Sequence, residues 1–407
     1  MNEEPSPRRL GIGTRILIGM VVGAAAGALL GDRVAVIEPV GQLFVRLLMS
    51  AAIPLVIFNL LAGLTTLTEL RTFGRLAGKI IAYYIVTTAF ALSLGLGVMS
   101  VLRPGDGIRL SEPAAASIGE VPSLGDVVVD MVPSNVFQAL AEGKVAQLVV
   151  FTILLGITTL LLPPEPRDKL RAAYGLGAEL FRKLVEVILK TAPYGIGALM
   201  AVTVGRYGAE LFGPLARFIG GVWGAQLGMV VVYMILLRSL GGRSPLGFLR
   251  AGGELWATTV ATTSSLASLT VAFDVAEKMK LPRGVYSLTL PLGAQINKDG
   301  TSIMLSAVLM FTAQAAGIEF SGTSILTILL VGLLLSEGSG GIPGGGLVVS
   351  LIFVQAFSLP LEVAAIVGGI YRLVDMGNTT INVMGDLVGT TIVARSEEGR
   401  SDPGLSA

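Results

Sequence analysis

The chain has 407 residues, of which 53% are hydrophobic and 14% charged, with 29 Lys and Arg against 28 Asp and Glu and a mean hydropathy of +0.77. Soluble domains carry about 25% charged residues, so most of this surface faces lipid, and the near-neutral charge argues against a nucleic-acid partner. Cysteine and histidine are both absent, which excludes disulfides, thiolate or imidazole metal sites, Ser-His-Asp catalysis and a histidine proton relay.

A helix that crosses a bilayer needs about 20 mostly apolar residues. The start, Met1 to Arg9, is polar, and the first apolar run lacks a signal-peptide cleavage pattern. Qualifying runs lie at about 13–31, 41–69, 78–102, 147–163, 173–204, 211–237, 284–316 and 361–394. The stretch 104–146 is mixed and opens on a loop at Pro104, Gly105, Asp106 and Gly107. Two more apolar regions, 246–274 and 323–357, are interrupted by polar and glycine-rich tips.

Cytoplasmic loops collect Lys and Arg. Here these gather at Arg8, Arg9 and Arg15, at Arg71, Arg75 and Lys79, and at Arg167, Lys169 and Arg171. They recur at Arg238, Arg243 and Arg250, at Lys278, Lys280 and Arg283, and at Arg395 and Arg400. Eight spans in a multi-pass membrane protein with both termini cytoplasmic satisfy this alternation. The region 246–274 then starts and ends inside, and 323–357 starts and ends outside, so neither crosses. Each reads as a re-entrant hairpin, one tipped by Thr262-Thr263-Ser264-Ser265 and the other by the run from Ser336 to Gly346.

Each hairpin precedes a span with a polar interruption, Asn297-Lys298-Asp299-Gly300-Thr301 in one and Asp375 to Asn382 in the other. Hairpin plus helix thus occurs twice with opposite orientation. Such an inverted repeat marks a transporter whose site lies between the halves. Irregular backbone at membrane depth survives only against protein or a water-filled cavity, so the tips offer N–H and C=O groups to a carboxylate or a cation. Asp299, a carboxylate at membrane depth, is a functional candidate by default; a Lys298–Asp299 ion pair serving packing alone is the plain alternative. Gly300 suggests local unwinding that frees carbonyls for a hard cation. Asp375, Asn378 or Thr379, Asn382 and Asp386 recur every three or four residues and share one helix face. Arg372 and Asp375, three residues apart, are spaced to pair.

These residues resemble the glutamate transporter homologue family, the dicarboxylate/amino acid:cation symporters, along nearly the whole chain. The resemblance is carried by Pro54-Leu55-Val56-Ile57-Phe58-Asn59-Leu60, Tyr83-Tyr84 with Thr87-Thr88, the serine-bearing first tip and Leu290-Pro291-Leu292-Gly293-Ala294. Asn297-x-Asp299-Gly300-Thr301, the second tip, and Asp375-Met376-Gly377 with Asn382, Gly385 and Asp386 complete it. It implies an all-α polytopic elevator-type transporter, not an enzyme, working as a homotrimer. A scaffold would span 1–77 and 104–207, a transport domain 78–103 and 208–398, and a cytoplasmic tail 399–407.

The resemblance also implies site roles. Asp375 would hold a substrate amino group. Asn382 and Thr379, with Ser264, Ser265 and the backbone at Ile342 and Gly346, would receive its α-carboxylate, and Thr301 and Asn378 would face its side chain. One sodium site would use Gly293, Asn297, Asn382 and Asp386; a second Tyr84, Thr87, Thr88, Asn297 and Asp299; a third Ser336, Glu337 and Ser339. No cofactor beyond the coupling ion is implied.

Three departures matter. Asn378 stands where members that carry acidic substrates place a side-chain-clamping arginine, whose bidentate charge asparagine cannot supply. That predicts a small neutral amino acid such as serine, threonine, alanine or asparagine, with an acidic amino acid or dicarboxylate as the alternative cargo. Arg372 lies six residues away, about 1.7 turns, a weak replacement. Lys298 replaces a methionine beside a sodium site, and Glu337 an apolar residue. Lys298 is therefore a possible cation substitute that pairs with Glu337 when the gate closes, leaving sodium or proton coupling open. A gated channel is the competing function of another class; a membrane hydrolase lacks a base beside Ser264.

Overall fold

The computed structural model describes residues 12–66, 74–106, 108, 129, 132–142, 144–208, 212–339 and 344–398. Among them every regular element is helical, as required of a chain that must satisfy its own backbone hydrogen bonds in lipid. Ile342, assigned to the second tip, lies outside the described residues. The helices are α1 (Ile12–Leu30), α2 (Glu38–Thr66), α3 (Gly74–Leu102), α4 (Val136–Glu142), α5 (Val145–Leu161), α6 (Pro164–Leu189), α7 (Ala192–Tyr207) and α8 (Phe212–Ser239). There follow α9 (Pro245–Ala251), α10 (Gly253–Thr262), α11 (Leu269–Lys278), α12 (Arg283–Ile296), α13 (Asp299–Ala315), α14 (Gly322–Ser336), α15 (Gly345–Ala356) and α16 (Leu361–Ser396).

The segments Thr14–Thr65, Gly74–Leu102 and Phe212–Ser239 are each long and apolar enough to cross a membrane. The expected span 173–204 is two helices, α6 and α7, bent by 55°. Pro193 in the first turn of α7 explains the restart, since proline fits a helix start and lacks the N–H that continuation needs. The expected hairpin at 246–274 is three short helices, α9, α10 and α11, with its turn after Thr262. The expected hairpin at 323–357 is α14 and α15, with a 3-10 turn at Glu337–Ser339.

The two polar interruptions differ. The first is a real break, with extended backbone at Asn297 (φ −75°, ψ 117°) before α13 restarts at Asp299. Gly300 does not unwind the helix but sits in the first turn of α13, where a Cβ would lie 2.6 Å from the Asn378 Cα. Its role is close approach of α13 to α16. The second interruption is no break: α16 runs through Asp375 to Asn382 as 36 continuous residues, about 54 Å at 1.5 Å per residue.

Two packing groups result. Helices α1, α2, α5, α6 and α7 pack on one another, and α3, α8, α12, α13 and α16 form a second group with α13 at its centre. Nearly every side chain of α13 from Asp299 to Ala315 is buried. The α1–α7 crossing runs on Gly19, Gly23 and Gly27, spaced by four residues, a small-residue stripe that lets helix backbones meet in lipid. Beyond the last helix, Glu397 bridges Arg75 and Lys79 of α3, each at 2.5 Å. Burial works to raise the Glu397 pKa, but the hydrogen bonds and charges of Lys79 and Arg75 prevail and hold it below its ordinary value of 4.5.

A Cβ on Gly23 would lie 2.9 Å from the Gly197 carbonyl carbon, whereas Gly97 has open space. Gly23→Leu should therefore destabilise the detergent-solubilised protein by about 1–3 kcal/mol, with Gly97→Ala much nearer neutral, read by thermal unfolding. Because the folded-state pKa of Glu397 is depressed, its stabilisation is present above the unfolded value and is lost as pH falls through the folded value. Glu397→Gln should thus flatten the acid limb of the stability–pH curve.

Candidate functional site

The break between α12 and α13 is the centre of a buried polar cluster. Asn382 of α16 holds it: its Oδ1 accepts from the backbone N–H of Gly300 at 2.7 Å and of Thr301 at 3.4 Å. Its Nδ2 donates to Thr301 Oγ1 at 3.3 Å, and its main-chain oxygen accepts from Asn297 Nδ2 at 2.8 Å. A side chain of α16 thereby caps the first turn of α13, satisfying donors that a helix start leaves open.

Around the break lie the residues assigned to the first two cation sites. Asp299 accepts from Thr88 Oγ1 at 2.8 Å and from Tyr233 OH at 2.5 Å, with Thr87 also in hydrogen-bonding reach. Tyr84 OH donates to Thr289 O at 3.2 Å. Gly293 packs against the Asp386 carboxylate, where a Cβ would meet Cγ at 2.6 Å. Among the described residues, Asp386 Oδ1 and Asn297 Oδ1 are buried acceptors without a hydrogen-bond partner. Orphaned oxygens of this kind fit a hard monovalent cation. Tyr233 of α8 was not anticipated from the sequence; an isolated tyrosine in an apolar helix carries no signal until Asp299 is seen beside it.

Lys298 is fully buried. Its Nζ donates to the Ala294 carbonyl at 2.8 Å and the Asn297 carbonyl at 3.3 Å. It forms no ion pair with Asp299, contrary to the plain packing alternative; Asp299 accepts from Thr88 and Tyr233 instead. Glu337, Asp386 and Asp299 are the charges that face it. Ser336 and Ser339 are buried at the second tip, and Glu337 has one buried carboxylate oxygen, Oε2, that has no hydrogen-bond partner among the described residues. Asn59 Nδ2 of α2 donates to the Gly338 carbonyl at 3.1 Å, tying this tip to the first packing group.

A second cluster lies on the same face of α16. Asp375 Oδ1 accepts from Tyr371 OH at 2.7 Å, and both Thr263 of the first tip and the Gly344 backbone of the second are within hydrogen-bonding reach of its carboxylate. Gly346 belongs here, since a Cβ would lie 2.6 Å from Tyr371 OH and 3.4 Å from Thr301 Cγ2. Thr379 is buried one turn beyond Asp375. Ser264 and Ser265 are buried at the first tip, where Ser264 Oγ accepts from Ala267 N at 3.2 Å. Thr263 adopts the left-handed conformation, φ 48°, which is strained for a β-branched residue.

Two further side chains decide what the face presents. Gln226 of α8 donates to Asn378 Oδ1 at 2.9 Å and to the Val374 carbonyl at 3.3 Å, so the Asn378 carbonyl is spent internally. Arg372 donates through Nη1 to Thr263 Oγ1 and through Nη2 to the Ala261 carbonyl at 3.0 Å. The side chain assigned as a weak replacement thus reaches the first tip. Tyr371, Gln226 and Thr263 were not singled out as site residues; Tyr371, four residues before Asp375, was legible as the next member of its stripe.

A helical chain with a broken helix, two hairpin tips and orphaned buried acceptors meets a matching family over residues 12–396, the sodium:dicarboxylate symporter family. The chain belongs to that family. It is 31% identical over 397 residues to a proton/glutamate-aspartate symporter of Bacillus subtilis, covering 95% of each chain. A proton/sodium-glutamate symport protein of Bacillus caldotenax is 28% identical, over 96% of this chain and 95% of the relative. A C4-dicarboxylate transport protein of Bacillus subtilis is also 28% identical, over 94% and 93%. The chain is therefore an integral membrane protein of a family of cation-coupled symporters. The cargoes in these names are acidic, unlike the neutral amino acid expected from Asn378.

Removing the Asn382 side chain leaves the Gly300 and Thr301 N–H groups buried and unmet, at about 1–3 kcal/mol each. Asn382→Ala should lower both the unfolding midpoint and cargo uptake. Thr391→Ala, which loses only a bond to the Leu387 carbonyl within its own helix, should change neither by a comparable amount.

Proposed function

We propose that this chain is a secondary active symporter of an acidic amino acid, driven by sodium or protons. The observation that carries the reading is that one face of α16 presents both a buried carboxylate, Asp375, and a guanidinium, Arg372, which does not form the ion pair its spacing predicts but reaches the first hairpin tip. Asp375 suits an ammonium group and repels a cargo bearing only carboxylates, which favours an amino acid over a dicarboxylate. Arg372 supplies the cation that an acidic side chain needs. Asn382, Thr379, Ser264, Ser265 and the second tip would receive the α-carboxylate, and Thr301 and Gly346 would line the remaining space. The acidic cargoes in the relatives' names support the same choice.

A neutral amino acid is the second reading, favoured by Asn378, whose Oδ1 is held by Gln226 and whose Nδ2 is the one group left to face a cargo. For either cargo, the coupling ion would bind among Asn297, Asp299, Asp386 and their neighbours. The first packing group would be stationary and join three copies, and the second would carry the cargo. The second tip packs on α2 through Asn59 and Val56, while the first hairpin packs chiefly on α16 and α12. That asymmetry supports an inward-facing form, with the first hairpin as its gate.

Counterflow into proteoliposomes distinguishes the cargoes: aspartate and glutamate, succinate, serine and alanine, each with and without sodium and across pH. Aspartate or glutamate should exchange and succinate should not; exchange of serine or alanine alone would establish the second reading. Arg372→Ala should weaken acidic cargo by about 10- to 100-fold, the loss of a hydrogen bond to a charged group, with Arg372→Lys in between.

A further inference from the structure

The Lys298 ammonium is bound in an unusual way for a buried charge. Buried ammonium groups pair with carboxylates, because an unpaired charge in the interior is costly. Among the described residues Lys298 has no carboxylate within ion-pair distance; main-chain carbonyls of Ala294 and Asn297 hold its Nζ instead. A ligand set of carbonyl oxygens at a helix break is the chemistry of an alkali-cation site. Three carboxylates face the ammonium from three elements: Glu337 from the turn after α14, Asp386 from α16 and Asp299 at the start of α13. Three buried acceptors beside it, Glu337 Oε2, Asp386 Oδ1 and Asn297 Oδ1, have no hydrogen-bond partner.

We propose that Lys298 is a tethered cation: its ammonium permanently fills one monovalent-cation place at the α12–α13 break, so the transporter loads one coupling ion fewer than its carboxylates would otherwise take. With all three carboxylates ionised, the one ammonium leaves two negative charges to be met by ions from solution. The unpartnered oxygens of Asp386 and Asn297 mark where one of these enters. The tether also fixes where the positive charge sits, on the α12 side of the break and facing the second tip. Glu337 is then drawn toward the break without releasing an ion, which gives that tip a standing electrostatic attachment. The proposal rests on the cation coupling described above but not on the identity of the cargo.

The test therefore reads sodium alone. The purified full chain in lipid nanodiscs, without amino acid, is titrated with radioactive sodium against choline at constant ionic strength, counting bound ions. Lys298→Met, which keeps length and apolar stem, should bind one more sodium than the wild type. Lys298→Met with Glu337→Gln should return to the wild-type count. A Lys298→Met protein that binds sodium as the wild type does overturns the proposal. If Lys298→Met does not fold, Lys298→Gln decides, because its amide still donates hydrogen bonds but carries no charge. Gain of one bound sodium there supports the tethered cation, and an unchanged count rejects it. Counterflow failing for every amino acid would remove the cargo assignment and leave these counts standing.

Discussion

Asn382 bears the constraint on which the rest of the structure depends. A helix interrupted at membrane depth exposes N–H and C=O groups where no water satisfies them, each at a cost of several kcal/mol. One asparagine on the neighbouring helix receives the Gly300 and Thr301 N–H groups and accepts Asn297 Nδ2 on its own carbonyl. The break can then be kept open on its other side, where Asn297 Oδ1 and Asp386 Oδ1 are unmet. Gly300 is needed for the same reason, since only a residue without Cβ lets α13 come close enough to α16 for one side chain to serve both.

The buried charges fall into two groups along α16. Asp386, with Asp299, Glu337 and Lys298, gathers at the break. Asp375 and Arg372 gather at the tips. Three turns of helix separate Asp386 from Asp375, about 16 Å of rise, so the groups communicate less by direct Coulomb force than through shared structure. The link is Asn382 with Thr301: Thr301 meets Asn382 through Oγ1 and lies toward Gly346 and Tyr371 through Cγ2. On the proposed reading, a cation at the break and a cargo at the tips would therefore press on opposite sides of the same threonine.

Much of this was legible in sequence because lipid makes polarity rare. Asp299, Asp375 and Asp386 stand out of apolar runs, and the structure buries all three. The two helix–turn–helix units were legible from polar tips within apolar regions. What was hidden depended on contacts between distant helices. Tyr233 and Gln226 sit in an apolar α8 and acquire meaning only from Asp299 and Asn378. Gly300 was read as an unwinding signal, but sequence cannot separate a glycine that bends a helix from one that lets two helices touch. Arg372 was set aside on helix geometry alone, and a side chain long enough to reach the first tip escapes that argument. The bend between α6 and α7 was foreshadowed by Pro193 within an otherwise continuous apolar run.

The two hairpins are not equivalent, and the difference lies in what holds each tip. The second tip is anchored to the other packing group by Asn59 of α2 and faces Lys298 across the break. The first is anchored on α16 itself: Arg372 holds Thr263 and Ala261, and Thr263 is kept in a strained backbone conformation. Asp375 lies within reach of both tips, through Thr263 and Gly344. On the proposed reading, an ammonium group at Asp375 or a carboxylate at Arg372 would share side chains that also hold the first tip. The proposed cargo face and the strained Thr263 turn are thus tied by the same few bonds, so under that reading occupancy of the face would bear directly on the first tip.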